Sequence, residues 1–200
     1  YKNNWPRPEP KAGEVLIRVR ACGLNNTDVN TRTGWYSKTV NEATTGYAFE
    51  KVGEADSTWG GKPITFPRIQ GADVCGEIVG VGDDISASRI GQRVITDGWL
   101  RDPIDPFNKN KTGYFGSECD GGFADYTVIP SSNALSINSN LTDAELATFS
   151  CSYSTAEGML NRANVTKIDT VLVPGASGGV GGALIHLSKR RKARVIALAS

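Results

Sequence analysis

Apolar and polar residues alternate along Glu14–Arg20 (EVLIRVR), which predicts a strand with Val15, Ile17 and Val19 on one face. Asp73–Val81 (DVCGEIVGV) is β-branched and punctuated by glycine, and Arg93–Ile95 and Phe123–Ile129 (FADYTVI) are shorter runs of the same kind. Gly-Asp, Asp-Pro and Gly-Gly pairs separate these runs, so the first two-thirds of the chain predicts a compact antiparallel barrel or sandwich. Between Gly34 and Pro67 the chain is polar and aperiodic yet carries Trp35, Tyr36, Tyr47, Phe49 and Trp59. A loop of that length is ordinarily functional or mobile. Arg101–Lys111 (RDPIDPFNKNK) reads as a second loop.

The period changes near residue 140. Thr142-Asp-Ala-Glu145 and Ser154-Thr-Ala-Glu157 both fit a capping box, in which a hydroxyl takes a backbone N–H and the Glu reaches back. They predict helices over roughly 143–150 and 155–163. Thr170–Val173 then reads as a short buried strand, followed at once by Gly175-Ala-Ser-Gly-Gly-Val-Gly181. Val180, Ala183, Leu184 and Leu187 recur at helical spacing, and Arg194–Ala199 (RVIALA) is a further strand. Strand, glycine turn, helix and strand make one βαβ unit. Lys189–Lys192 (KRRK) falls at the helix end, where the dipole favours a solvated basic run.

Composition adds bounds to this pattern. With 22 Lys+Arg against 21 Asp+Glu, the net charge of +1 gives no reason to expect nucleic acid or an anionic membrane as partner. The hydrophobic fraction of 39% is enough for a core, and the excess residue is glycine, 23 in 200. No apolar run approaches the ~18 residues of a membrane span, and Tyr-Lys-Asn-Asn-Trp-Pro has no apolar signal core. Cys22, Cys75, Cys119 and Cys151 are scattered without a CxxC pair, which reads as reduced thiols of a cytoplasmic protein. The N-x-T sequons at Asn25, Asn140 and Asn164 are taken as chance in that setting.

The glycine turn carries the first chemistry. Ala176-x-Gly178-x-x-Gly181 lies between a predicted strand and helix, the context in which such a turn binds a dinucleotide. A small residue at 176 permits the tight turn, Gly178 admits a pyrophosphate to the backbone, and Gly181 lets the helix pack closely. The helix N-terminus offers free N–H groups. A turn that merely packs is the plainer alternative. No Lys-Ser/Thr follows the glycines, which excludes a Walker phosphate loop.

VLVPGASGGVG resembles the cofactor turn of medium-chain dehydrogenase/reductases, in particular the zinc-free, zeta-crystallin-like quinone oxidoreductases. KAGEVLIRVRACGLNNTD, GADVCGEIVGVGDD with GQRV, GGFADYTVIP and CSYSTAEGML resemble further blocks of that family, in the family's order. The resemblance covers residues 8–200 apart from the loop around 38–66. It implies an α/β chain: a GroES-like β-barrel catalytic domain over 1–135, then a truncated Rossmann domain, a doubly wound parallel sheet, from 136 to 200. A full fold of that type has six strands, so the resemblance also implies about 100 or more residues beyond this chain, and a hairpin before Tyr1.

Zinc-dependent members of the family use a Cys in the first loop and a His-Glu pair after a later glycine. Here those positions read Asn25 and Ala72-Asp73, and Asn and Ala cannot replace thiolate and imidazole. The four-Cys lobe is also missing, since 98–118 holds no Cys. Cys22 reads as a small strand-end residue and His186 as a helix-surface or packing side chain. The expected metal set is therefore empty. Neutral donors can polarise an acceptor oxygen instead. Asn25 offers an amide N–H, and Thr27 and Tyr36 offer hydroxyls. Tyr36 matches a Tyr that zinc-free relatives place over the substrate. Each has a plainer alternative, a loop aromatic for Tyr36 and a turn residue for Asn25. Asp28 reads as a loop anchor, with a proton source as the alternative.

The resemblance thus implies an NADP(H)-dependent oxidoreductase that passes hydride to a quinone or enone. Asn25, Tyr36 and Thr27 would be catalytic. Thr155 would contact the nicotinamide, and Ala176, Ser177, Gly178, Gly179, Val180 and Gly181 would hold the pyrophosphate. Counting about 20 residues from Ala176 reaches a strand without a carboxylate and then Ser200, whose hydroxyl suits a 2′-phosphate better than an NAD ribose. The partners implied are a small-molecule substrate and a second copy in a homodimer, with neither nucleic acid nor membrane. Two rivals stay open: an alcohol dehydrogenase with zinc on other ligands, and a non-catalytic, crystallin-like nucleotide-binding protein.

Overall fold

The computed structural model describes residues 4–37, 56 and 58–199, apart from the side chain of Lys109. The chain forms two compact units, Tyr1–Ala147 and Thr148–Ser200.

The first unit is built on a five-stranded antiparallel sheet. Its strands are β1 (Glu14–Gly23), β2 (Asp73–Val81), β3 (Arg93–Thr96), β6 (Tyr126–Pro130) and β7 (Ala134–Ser136), in the order β6-β1-β2-β3-β7. Between β3 and β6 lies a small hairpin of β4 (Trp99–Leu100) and β5 (Gly113–Tyr114). The alternation read in β1 places Val15 and Ile17 in the core, with Leu16 buried as well. Between β1 and β2 the register slips so that Val79 of β2 has no partner in β1, and Arg20 of β1 has none in β2. Such bulges sharpen the local twist. Gly76 sits where β1 leaves no room for a side chain: a Cβ there would lie 2.6 Å from Ile17 Cγ2. Val15, Ile17, Val74, Ile78, Val94, Phe115, Ile129 and Ala134 form the main core.

Helix α2 (Asp143–Leu146) starts on the capping box expected at Thr142 and Glu145, with Glu145 N–H donating to Thr142 Oγ1 at 3.2 Å. It packs Leu146 and Ala147 onto Cys75, beside Ala21, Ile95 and Ile137. That packing joins the segment up to Ala147 to the first unit. Arg93 ties the approach to this helix in place, donating to Asp143 Oδ1 at 2.8 Å and to the Ser139 and Leu141 carbonyls. The pairing holds the Asp143 carboxyl below the usual carboxylate range.

The segment after β1, read as a loop, is in part a helix: α1 covers Asn26–Arg32. Phe123–Asp125 do not join β6. Their backbone belongs to a turn in which Phe123 N–H donates to the Gln70 carbonyl at 2.8 Å and Gly122 N–H to Gly71 at 2.7 Å.

In the second unit, α3 (Ser150–Arg162) begins four residues before Ser154, so the second expected capping box does not form. Ser154 Oγ instead donates to the Cys151 carbonyl, and Glu157 pairs with Arg191 at 2.6 Å. Arg191, read as part of a solvated basic run, is therefore a clamp between helices. Strand β8 (Thr170–Pro174), helix α4 (Gly179–Arg190) and strand β9 (Arg194–Leu198) complete the βαβ unit, with β8 and β9 parallel. Val173 is buried under α4, whereas Leu172, Ile196 and Leu198 on the opposite face are exposed. No described helix is long and apolar enough to cross a membrane.

Candidate functional site

The first unit gathers the candidate donors at the junction of β1, α1 and β2. Asn25 caps α1 with an extended backbone (φ −130°, ψ 157°). Its N–H donates to Asp28 Oδ2 at 2.9 Å, and Asp28 N–H returns to the Asn25 carbonyl at 3.0 Å. The amide nitrogen of the Asn25 side chain reaches β2: Nδ2 donates to Asp73 Oδ2 at 3.1 Å. An ionised carboxylate accepts and cannot donate, so this contact fixes which way the amide faces. One N–H is engaged and the other, on the same nitrogen, is aimed by it.

Asp73 is 1% exposed. Thr96 holds the backbone on either side of it, donating to the Ala72 carbonyl at 2.7 Å and accepting from Val74 N–H at 2.9 Å. Thr27, on the first turn of α1, is buried and accepts from the Tyr36 hydroxyl at 2.9 Å. Tyr36 and Thr27 are thus brought together, and Asn25 is joined to Asp73, a partner that the reading of the sequence did not assign.

Asp28 anchors the junction. Its carbonyl takes Gln70 Nε2 at 2.6 Å. Burial pushes its carboxyl above the ordinary range, against the pull of the Asn25 and Gly71 N–H groups. Gly71 has φ +97°, and a Cβ there would lie 2.7 Å from both Cys22 Sγ and Phe123 Cδ1, so this turn requires glycine. Burial, then the Asp28 and Asp73 carboxylates, pushes the Cys22 thiol up to about 12. A thiol that stays protonated is a poor nucleophile at neutral pH. Among the described residues no group of three or more His, Cys, Asp or Glu is arranged to hold a metal ion. His186 lies exposed on α4, with Nδ1 2.7 Å from the Tyr153 hydroxyl.

Cys75 and Cys119 are likewise raised, each to about 11, chiefly by burial. Their folded values exceed the unfolded value of 9.0, so the three thiols contribute stability that is whole below pH 9. That stability is lost as pH rises towards 11–12. Chemical denaturation at successive pH values is expected to show stability falling above pH 9, by at most about 1.4 kcal/mol per pH unit for each thiol. A flat profile between pH 9 and 11 contradicts the assignment.

In the second unit, the candidate cofactor turn joins β8 to α4. Gly175 has φ +70°, and Ala176 N–H donates to the Leu198 carbonyl at 2.9 Å, tying the turn to β9. Gly178 is the N-cap of α4 and has no side chain to occupy the first-turn N–H groups. A Cβ at Gly178 would find only the Gly175 carbonyl within 4 Å, at 3.5 Å, so the approach to the backbone is open there. At Gly181 a Cβ would collide with the Gly175 carbonyl and lie 2.9 Å from Ala176 Cα. Helix and turn therefore meet through a glycine, with the N–H groups of Gly179, Val180 and Gly181 directed along the helix axis. This arrangement fits a pyrophosphate. Ser177 and Thr155 are both exposed, Thr155 on α3. Ser200 lies outside the described residues, as does most of the loop 37–66.

The alcohol dehydrogenase GroES-like domain model matches residues 11–139. A crystal structure from Sinorhizobium meliloti 1021, described as an alcohol dehydrogenase, is 44% identical with a TM-score of 0.83. It matches over 100% of this chain and 53% of its own. The quinone oxidoreductase of Homo sapiens is 29% identical over 193 residues, 96% of this chain and 46% of that protein. The NAD-dependent alcohol dehydrogenase of Sulfolobus acidocaldarius is 24% identical over 189 residues, 91% of this chain and 49% of that protein. This chain spans about half the length of the curated relatives it matches. With a GroES-like domain over more than half its length, and relatives named both quinone oxidoreductase and alcohol dehydrogenase, the chain belongs to the medium-chain dehydrogenase/reductase superfamily.

Proposed function

We propose that the full-length protein is a zinc-free, NADP(H)-dependent oxidoreductase that reduces a quinone or an α,β-unsaturated carbonyl compound. The observation that carries this reading is the Asn25–Asp73 contact of 3.1 Å, at positions where zinc-dependent relatives place their ligands. The Asp73 carboxylate orients an amide there. The quinone oxidoreductase among the relatives supports the same reaction class.

NADPH, when bound, supplies the hydride. The residues of this chain do the rest. Residues 1–135 form the catalytic domain, and 136–200 open the nucleotide-binding domain. The backbone of Ala176–Gly181 holds the pyrophosphate, Ser177 adds a hydroxyl, and Thr155 bears on the nicotinamide. Asn25 donates its second N–H to the acceptor oxygen. Tyr36 donates its hydroxyl to the same oxygen, exchanging its contact with Thr27 for one with the substrate. Preorganised neutral donors suffice for an electron-poor acceptor, whose reduced oxygen is far less basic than an alkoxide. The same reading takes a small-molecule substrate, in a cytoplasmic homodimer without nucleic acid or membrane.

Metal analysis after dialysis against a mild chelator is expected to find no stoichiometric zinc in the full-length protein, and NADPH is expected to be consumed with a simple quinone. About one tightly held zinc per chain, with alcohol oxidation in place of quinone reduction, establishes the zinc-dependent alternative. That second reading draws on the relatives named alcohol dehydrogenase.

Cofactor choice rests on Ser200 in place of a carboxylate. The expected result is a higher kcat/KM with NADPH than with NADH on one quinone. A preference for NADH of about tenfold, or about 1.4 kcal/mol, refutes it.

A further inference from the structure

Tyr36 is enclosed by aromatic rings. Trp59 lies against it with ring centroids 4.2 Å apart and planes inclined by 34°, and Trp35 meets it edge-on at 5.4 Å. Trp59 is seated in turn against Trp99 at 5.2 Å and Tyr114 at 5.8 Å, and those two rings meet edge to face at 5.2 Å. These rings come from the first loop, the 58–62 turn and the β4–β5 hairpin, so their grouping is a tertiary feature.

The turn that carries Trp59 is fastened at several points. Thr58 Oγ1 donates to the Lys62 carbonyl at 2.7 Å and accepts from Lys62 N–H at 3.1 Å. Glu118 bridges the turn to the hairpin: Oε1 accepts from Gly60 N–H and Oε2 from Tyr114 N–H, each at 2.6 Å. At Gly98 a Cβ would lie 3.0 Å from the Tyr114 ring, so glycine there gives that ring its place under Trp59. The hydroxyl of a tyrosine has no position of its own beyond what its two side-chain torsions give it. A ring packed against both Trp59 and Trp35 keeps one pair of torsions, and its oxygen stays at one point.

We propose that Trp59, stapled through Glu118, is a positioning residue that holds the Tyr36 hydroxyl at the acceptor oxygen. The inference rests on the reading of Tyr36 given under Proposed function. Trp59 touches neither cofactor nor substrate in this role. Its effect passes through Tyr36 alone, which separates it from a residue that merely stabilises the fold.

The test uses full-length protein labelled with 3-fluorotyrosine, the residue 36 resonance being identified by its disappearance in Tyr36→Phe. Trp59→Phe keeps a ring face against Tyr36, and Trp59→Leu fills apolar volume without one. Trp59→Leu is expected to broaden or split the residue 36 resonance and to lower kcat with NADPH and a quinone about 10- to 100-fold, with KM nearly unchanged. Trp59→Phe is expected to restore both. In a Tyr36→Phe background, Trp59→Leu is expected to cost nothing further. A single unchanged resonance in Trp59→Leu, or an equal loss of turnover with and without the Tyr36 hydroxyl, overturns the proposal. A disturbed resonance with full turnover in both Trp59→Leu and Tyr36→Phe instead refutes the catalytic reading of Tyr36, and leaves Trp59 as the residue that orders its ring.

Discussion

Removing the Tyr36 hydroxyl (Tyr36→Phe) in the full-length protein is expected to lower kcat with NADPH and a simple quinone about 30- to 1000-fold, with KM little changed. The loss corresponds to roughly 2–4 kcal/mol, the worth of one preorganised donor to a developing oxyanion. The split between kcat and KM follows because the donor acts mainly when charge has moved onto the acceptor oxygen. In the free protein that hydroxyl is already fixed on Thr27 at 2.9 Å, so little reorganisation accompanies its transfer to substrate. Asn25→Ala is expected to act in the same direction and over the same range. Asp73→Asn gives a further contrast: an amide at 73 can accept or donate, so it no longer dictates which way Asn25 faces. Asn25 and Asp73 acting as a pair predicts non-additive losses in the double variant. Turnover equal to the parent in both Tyr36→Phe and Asn25→Ala returns the two residues to structural roles.

The second large effect is expected at Gly181. Gly181→Val places a branched side chain where even a Cβ collides with the Gly175 carbonyl and lies 2.9 Å from Ala176 Cα. Either α4 withdraws from the turn or the turn opens, and in both cases the first-turn N–H groups leave the place they share. Fluorescence titration with NADPH is expected to show binding weakened about 100-fold or more, together with a loss of stability of about 1–3 kcal/mol from overpacking. Gly182→Ala is the control one residue along the same helix. Nothing lies within 4 Å of a Cβ there, and alanine favours the helix by up to about 1 kcal/mol. Gly181→Val binding NADPH as the parent does contradicts the cofactor role of the turn.

How much of this was legible in the sequence varies from element to element. β2 runs from Asp73 to Val81 as the pattern of β-branched residues and glycine predicts. The helix after the glycine turn was equally plain, because Val180, Ala183, Leu184 and Leu187 mark one face of it. α1 was not legible: Asn26–Arg32 has a single large apolar residue, Val29, and that side chain is exposed. Its signal was Asn25 with Asp28 three residues on, a start pattern without the apolar stripe that normally accompanies it. The box at Ser154 misled for the converse reason. Ser and Glu stand at capping distance, but α3 is already under way from Ser150, where packing overrides a local hydrogen bond. The Asn25–Asp73 contact joins residues 48 apart, and the Glu118–Gly60 staple residues 58 apart. No local pattern encodes such pairs. The sequence offered candidate residue types for the site, and only the fold supplies their partners.

The order of strands in the first sheet has a consequence for the chain as it is made. β1 lies between β2 and β6, and Val15, Leu16 and Ile17 are covered on both sides only when Thr127–Pro130 have arrived. At roughly 5–20 residues per second, the interval between the emergence of Gly23 and that of Pro130 is about 5–20 s. For all that time β1 holds its apolar face and one row of peptide groups without their final neighbour. Between α3, β8, α4 and β9 the contacts join residues only a few tens apart in the chain. Ribosome-associated chaperones are expected to engage nascent chains that end between β2 and β6, and to release them once β6 has left the tunnel.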